Sequence, residues 1–135
     1  MKILLFFTYD VSLKQWDRLG LIKREIYIYQ KLAEEGCMVT FFTYGNEEDI
    51  KYGSLLGNIK IVPAYAKLTR PKNKFIRFIY SFAIPFYFKD LFKVADLYKT
   101  NQMLGSWIPV IAKILYKKPL IIRCGYELLR NKIRA

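Results

Sequence analysis

ILLFF, residues 3–7, is an unbroken apolar run, and its reading decides the fold. A strand with one wet face alternates apolar and polar residues, whereas a continuous run belongs in a parallel sheet covered on both sides. Downstream, residues 8–19 form a polar connection. Ile22, Ile26, Tyr29 and Ala33 then recur at helical spacing until Gly36 stops the helix. Residues 39–43 make a second strand. An irregular, glycine-containing stretch leads to a third at residues 59–62, closed by Pro63.

The alternation continues to the end of the chain. Residues 74–94 are aromatic on nearly every side and carry Pro85, which predicts a kink or two shorter helices. Residues 96–100 read as strand four. Ser106 is placed to cap a helix running to Tyr116, with Pro109 in its first turn, where a missing N–H costs little. Lys117 and Lys118 sit at its carboxyl end, where the helix dipole favours cations, and Pro119 opens strand five, residues 120–124. This pattern predicts an α/β fold, a Rossmann-like doubly wound parallel sheet. Right-handed crossovers and a change of winding after the third strand give the order 3-2-1-4-5. Residues 1–135 form one domain, without repeat, low-complexity segment or linker. Residues 127–135 resemble the opening of another helix, and the end at Ala135 reads as a cut.

Composition narrows the chemistry. The 23 Lys and Arg against 11 Asp and Glu leave a net charge of +12, which attracts anionic partners such as phosphates, acidic lipids or nucleic acid. The absence of histidine removes the commonest general base, the Ser-His triad and every His-ligated metal site. Cys37 and Cys124 form no CxxC and lie in apolar runs, as reduced cysteines of a cytoplasmic protein do. The five-residue apolar run after Met1-Lys2 is too short for a signal peptide. Residues 75–88, broken by Arg77, fall short of the roughly 20 apolar residues of a membrane span.

In an open parallel sheet, ligands bind beyond the carboxyl ends of the strands, where the winding reverses. Three segments should meet there. After strand one come Asp10, Lys14, Trp16, Asp17, Arg18 and Gly20; after strand four, Thr100, Asn101 and Gln102; after strand five, Arg123, Cys124, Gly125, Tyr126 and Glu127. Gly20 either lets an anion approach the N-terminus of the first helix or simply makes a loop-to-helix turn. Neither GxGxxG nor a P-loop motif is present. Asn101 and Gln102 offer donors and acceptors suited to sugar hydroxyls, or caps for the following turn. Arg123, ending an apolar strand, calls for a cleft or a partner such as Glu127, while Glu25 reads as a solvated helix residue. No catalytic residue and no metal-ligand set stands out.

Residues 1–36, with RLGLIKREIYIYQKLAEEG, then CMVTFFTYG, resemble the opening of the family-4-type retaining glycosyltransferases of two-Rossmann-domain (GT-B) architecture. Residues 96–129, DLYKTNQMLGSWIPVIAKILYKKPLIIRCGYELL, resemble the later part of the same N-terminal domain. The resemblance implies an acceptor-side domain, with a nucleotide-sugar as co-substrate and no required metal or further cofactor. The acceptor would be a saccharide or a lipid-linked sugar. Gly20 would then approach the donor phosphate, and Arg123, Gly125 and Tyr126 would line the acceptor side. Many relatives carry a histidine near the end of strand five, where this chain has Arg-Cys-Gly-Tyr. The C-terminal donor domain, with its paired glutamates, is missing and is expected in cis or in trans. Half a cleft cannot exclude water from an oxocarbenium-like transition state, so this chain alone is expected to be inactive.

Residues 65–93 interleave Lys67, Arg70, Lys72, Lys74, Arg77, Lys89 and Lys93 with aromatics. Such a segment suits an anionic bilayer surface, with Lys72, Lys74 and Arg77 as contacts, or burial against a partner domain. That places the protein in the cytoplasm, peripheral on the inner face of the membrane. Two rival readings stand beside this one. A stand-alone Rossmann-like ligand-binding module is compatible with the fold. Nucleic-acid binding fits the charge, but the basic residues are dispersed and no nucleic-acid motif is present.

Overall fold

The computed structural model describes residues 1–123. In chain order it comprises β1 (Lys2–Phe6), α1 (Leu13–Arg18), α2 (Ile22–Glu34), β2 (Met38–Thr43), a 3-10 segment (Glu47–Tyr52) and α3 (Gly53–Leu56). There follow β3 (Lys60–Pro63), α4 (Ala64–Lys67), α5 (Lys74–Ser81), α6 (Ile84–Tyr87), α7 (Lys89–Val94), β4 (Leu97–Thr100), α8 (Trp107–Tyr116) and β5 (Leu120–Ile121). All strand pairs are parallel and the order is β3-β2-β1-β4-β5, the Rossmann-like arrangement expected from the pattern. Pro63 ends an edge strand, the one sheet position where a missing N–H is harmless.

The apolar run of β1 is buried throughout because helices cover both faces. On one side Phe7 stacks on Trp16 at 4.1 Å and Tyr29 meets Phe41 edge-on at 5.4 Å, bringing α1 and α2 onto the sheet. On the other, Phe6 packs against Phe42, Phe92 and Tyr98 at 5.7, 5.2 and 5.6 Å. Each such ring contributes about 1.5–3 kcal/mol of burial and adds a geometric preference that fixes how the helices sit.

Several local expectations change. The connection over residues 8–19 contains α1, started by a capping box: Ser12 Oγ accepts from the Gln15 N–H at 3.2 Å, and Gln15 Oε1 accepts from the Ser12 N–H at 2.9 Å. Residues 74–94 form three helices rather than one kinked or two. Pro85 lies in the first turn of α6, where no N–H is needed. Ser106 does not cap α8; its hydroxyl donates to the Met103 carbonyl instead. β5 stops at Ile121, and Cys124, like the helix expected from Glu127, lies outside the described residues.

Asp49 joins the 3-10 segment to α1 and β2. Its buried carboxylate accepts the N–H groups of Leu13 and Lys14 at 3.1 and 3.2 Å and the Thr43 hydroxyl at 2.6 Å. Gly45 is required there, because a Cβ would lie 2.2 Å from Asp49 Oδ2. Asp49→Ala strands two buried donors and one part-buried one, so the urea midpoint should fall by the equivalent of roughly 3 kcal/mol.

Candidate functional site

Three strands are each followed within three residues by a tyrosine. Tyr9 follows β1, Tyr44 follows β2 and Tyr65 follows β3, so the parallel sheet delivers all three to its carboxyl edge. Their hydroxyl oxygens are buried, and none has a hydrogen-bond partner among the described residues. The rings of Tyr9 and Tyr44 meet at 5.5 Å. Beside them opens a cleft of about 540 Å³, lined by Asp10, Ser12, Tyr44, Gly45, Tyr65 and Arg70 among others.

Asp10 is the charged centre of this edge. Its backbone is left-handed, at φ 66°, a conformation that Asp tolerates better than most residues. Its carboxylate accepts from Arg77 Nη1 at 2.9 Å and Arg70 Nη2 at 3.2 Å. Arg77 is buried and also donates from Nε and Nη2 to the carbonyls of Pro71 and Lys72, at 3.2 and 3.4 Å. Arg70 lies 5.9 Å from the centre of the Tyr65 ring and is half exposed.

Burial raises the pKa of all three tyrosines, helped in each case by the nearby Asp10 charge; Tyr65 is pushed up to about 12. At neutral pH each therefore keeps its proton and can both donate and accept. Tyr44 and Tyr65 line the cleft beside the Asp10 carboxylate, whereas Tyr9 is not among its lining residues.

The residues singled out by sequence fall in several places. Asn101 follows β4 beside the end of β1 and does not line the cleft: it is buried, its N–H donates to Phe6 O at 2.9 Å, and its Oδ1 has no partner among the described residues. Gln102 is half-buried. The loop containing them folds over Tyr9, whose N–H donates to Leu104 O at 3.2 Å. Gly105, at φ 94°, is fixed by that approach, since a Cβ would stand 2.9 Å from Tyr9 Cβ.

Arg123 touches the same region only through its backbone, donating to Thr100 Oγ1 at 3.0 Å. Its guanidinium turns towards α2 and faces Glu25 at 3.7 Å. Glu25 is consequently not a solvated helix residue but a largely buried one, also 3.3 Å from Arg24. Around it lies a second hollow of about 600 Å³ with Tyr29 and Lys99. Lys99 Nζ donates to the Tyr29 hydroxyl at 2.9 Å. Burial lowers the Lys99 pKa, aided by the Arg123 charge, and pushes Tyr29 up to about 12.

Three of the residues named from the sequence have structural roles. Trp16 is a core residue stacked on Phe7, unavailable to a ligand, because the capping box turns α1 onto the sheet. Asp17 accepts from the Tyr52 hydroxyl at 2.8 Å and ties α1 to the 3-10 segment. Gly20, at φ 70°, donates to Asp17 O at 3.0 Å as the left-handed stop of α1, which explains the glycine by backbone alone. Among the membrane contacts, Lys72 and Lys74 are exposed but Arg77 points inward to Asp10. Gly125, Tyr126 and Glu127 lie outside the described residues. Among the described residues, no group of three or more metal-ligating side chains is assembled. Sequence reading passed over Tyr9, Tyr44 and Tyr65; their common signal is a tyrosine within three residues of a strand end.

Comparison with protein-family models, with curated proteins and with solved structures finds no match for this chain. The glycosyltransferase resemblance therefore rests on its own residues.

The tyrosines make stability sensitive to alkali. Unfolded tyrosine titrates near 10, whereas Tyr29 and Tyr65 hold their protons to about 12 in the folded chain. Between those values the unfolded state binds fewer protons, so stability is complete below pH 10 and falls as pH rises towards 12. Urea midpoints measured across that window should decline, and Tyr65→Phe should flatten the slope.

Proposed function

We propose that this chain is the acceptor-side half of a glycosyltransferase that moves a sugar from a nucleotide-sugar to a saccharide or lipid-linked acceptor. A second Rossmann-like domain, in cis or in trans, would hold the donor and close the cleft. The observation that carries the reading is the set of buried, unpartnered tyrosine hydroxyls beside Asp10, at the carboxyl edge of a 3-2-1-4-5 sheet. Apolar sites do not maintain three such groups. Leaving a buried hydroxyl unsatisfied costs about 1–3 kcal/mol, a cost recovered when a polyhydroxylated ligand supplies partners. Asp10 is an orienting group on this reading: its two arginines leave lone pairs to accept from an acceptor hydroxyl. Without a donor-holding partner, the same cleft describes a ligand-binding module.

Tyr44→Phe separates these ideas from simple packing. Removing an orphaned hydroxyl should raise the melting temperature of the free protein, and it should weaken saccharide binding roughly tenfold. Saturation-transfer NMR against a panel of hexoses and N-acetylhexosamines reads the second effect. No saccharide signal, or equal signal in wild type and variant, sinks the acceptor-site reading.

The exterior of α5 and α6 favours a peripheral membrane location. Among the described residues no helix is long and apolar enough to cross a bilayer. Phe75 and Phe86 are nevertheless 69% and 60% exposed, with Ile76, Ile79 and Phe82 beside them and Lys72, Lys74 and Lys89 at the margins. Apolar bulk rimmed by lysines suits an anionic surface, where each cation contributes about 1 kcal/mol. The chain should co-sediment with phosphatidylglycerol vesicles at low salt, and Phe75→Ser with Ile79→Ser should release it. Wild-type protein left in the supernatant would exclude this location.

A further inference from the structure

We infer that the hollow between α2 and the β4–β5 edge is a second, separate binding site, for a small phosphomonoester with an apolar or aromatic body. It lies on the opposite face of the sheet from α7 and takes nothing from the saccharide reading of the cleft.

Strand pleating builds the hollow. In β4, Tyr98 points to the α7 side, where its ring lies 6.1 Å from Phe92, so its neighbour Lys99 points to the α2 side. Lys99 is in register with Ile121 of β5, and Arg123, two residues further on, turns the same way. From α2, Glu25 and Tyr29 lie one turn apart and face the hollow, with the exposed Tyr27 and Ile28 at its margin.

The charges in it do not balance. Lys99 is half-buried in a strand, where an ammonium is costly without a partner. Its Nζ donates to the Tyr29 hydroxyl at 2.9 Å; among the described residues that is the acceptor it reaches, so two of its three N–H groups remain for a ligand. The Glu25 carboxylate is committed to Arg123 at 3.7 Å and Arg24 at 3.3 Å. Lys99, Arg123 and Arg24 thus line the hollow with one carboxylate among the described residues, an excess of two positive charges. Burial, and then the Arg123 charge, lower the Lys99 pKa, so the ammonium is held there against both desolvation and repulsion. An anion seated between Lys99 and Arg123 relieves both, and the half-exposed guanidinium offers it paired donors. A phosphomonoester carries about −1.5 to −2 at neutral pH, which matches the excess. Tyr27, Ile28 and Ile121 supply an apolar wall for an attached ring, in a volume of about 600 Å³ that suits a small organic ligand.

Calorimetry on the full chain with phenyl phosphate and with inorganic phosphate tests this. Phenyl phosphate should bind at one saturable site, on the order of tenfold tighter than inorganic phosphate because its ring is buried. Arg123→Gln should weaken phenyl phosphate roughly tenfold, and Glu25→Gln, which removes the competing carboxylate, should tighten it a few-fold. Lys113→Gln, at an exposed position on α8, makes the same change in net charge as Arg123→Gln and should leave the affinity unaltered. No saturable binding, or equal losses in Arg123→Gln and Lys113→Gln, overturns the inference and leaves only the attraction of a +12 chain for any anion. Equal affinity for the two probes removes the apolar body and overturns it as stated. If a mixed-sequence oligonucleotide displaces phenyl phosphate completely at equal phosphate concentration, the hollow is part of a polyanion surface and the inference falls. Each of these results leaves saccharide binding in the cleft untouched, since Tyr44→Phe reads that separately.

Discussion

The functional end of the molecule depends on the pairing of Asp10 with Arg77, 67 residues apart in sequence. A buried guanidinium is costly unless an anion meets it, and removing one partner of such a pair leaves the other charged and unpaired. Asp10 therefore fixes where α5 lies, and α5 in turn decides which residues face the sheet and which face outward. Everything distinctive at this edge follows: the wall of the cleft, the position of Arg70, and the row of apolar side chains on the far side of the helix.

Close approach elsewhere makes that arrangement possible. The left-handed turn at Asp10 sends the chain away from β1, and Gly105 lets the loop after β4 settle on Tyr9 without a Cβ in the way. Gly45 does the same for the Asp49 carboxylate below Tyr44. Two loops and a 3-10 segment thus pack around three aromatic rings tightly enough to bury their hydroxyls. Burial without partners among the described residues keeps those groups neutral.

The fold was legible because its signal is local and repeated. A continuous apolar run at residues 3–7, further apolar runs at 39–43 and 59–62, and helical spacing between them leave few alternatives to a parallel doubly wound sheet. The candidate site was legible only in part. The position of Asn101 beside the end of β1 follows from strand topology, since the end of β4 lies there. Trp16 misled because the Ser12–Gln15 capping box, readable in the sequence, was absorbed into a polar connection; recognising the box turns Trp16 inward. Arg77 misled for a different reason: its partner is far away in sequence, and no periodicity reports an ion pair of that span. Tyr9, Tyr44 and Tyr65 look like core aromatics one at a time. Their meaning lies in their convergence, a property of strand order and register rather than of any single segment.

That convergence also bears on what the chain needs in order to act. Group transfer from a nucleotide-sugar demands a low-dielectric, water-excluding site in which leaving diphosphate and acceptor are held together. The cleft beside Asp10 is walled by the sheet edge, by Arg70 and by the 3-10 segment, and the three tyrosines at that edge follow three adjacent strands of a single sheet. As proposed, such a surface grips one reactant and orients it. On the proposed reading, specificity for the acceptor is built into this chain by tyrosines and a paired carboxylate. On that reading, the chemistry waits on the donor-holding domain that docks opposite.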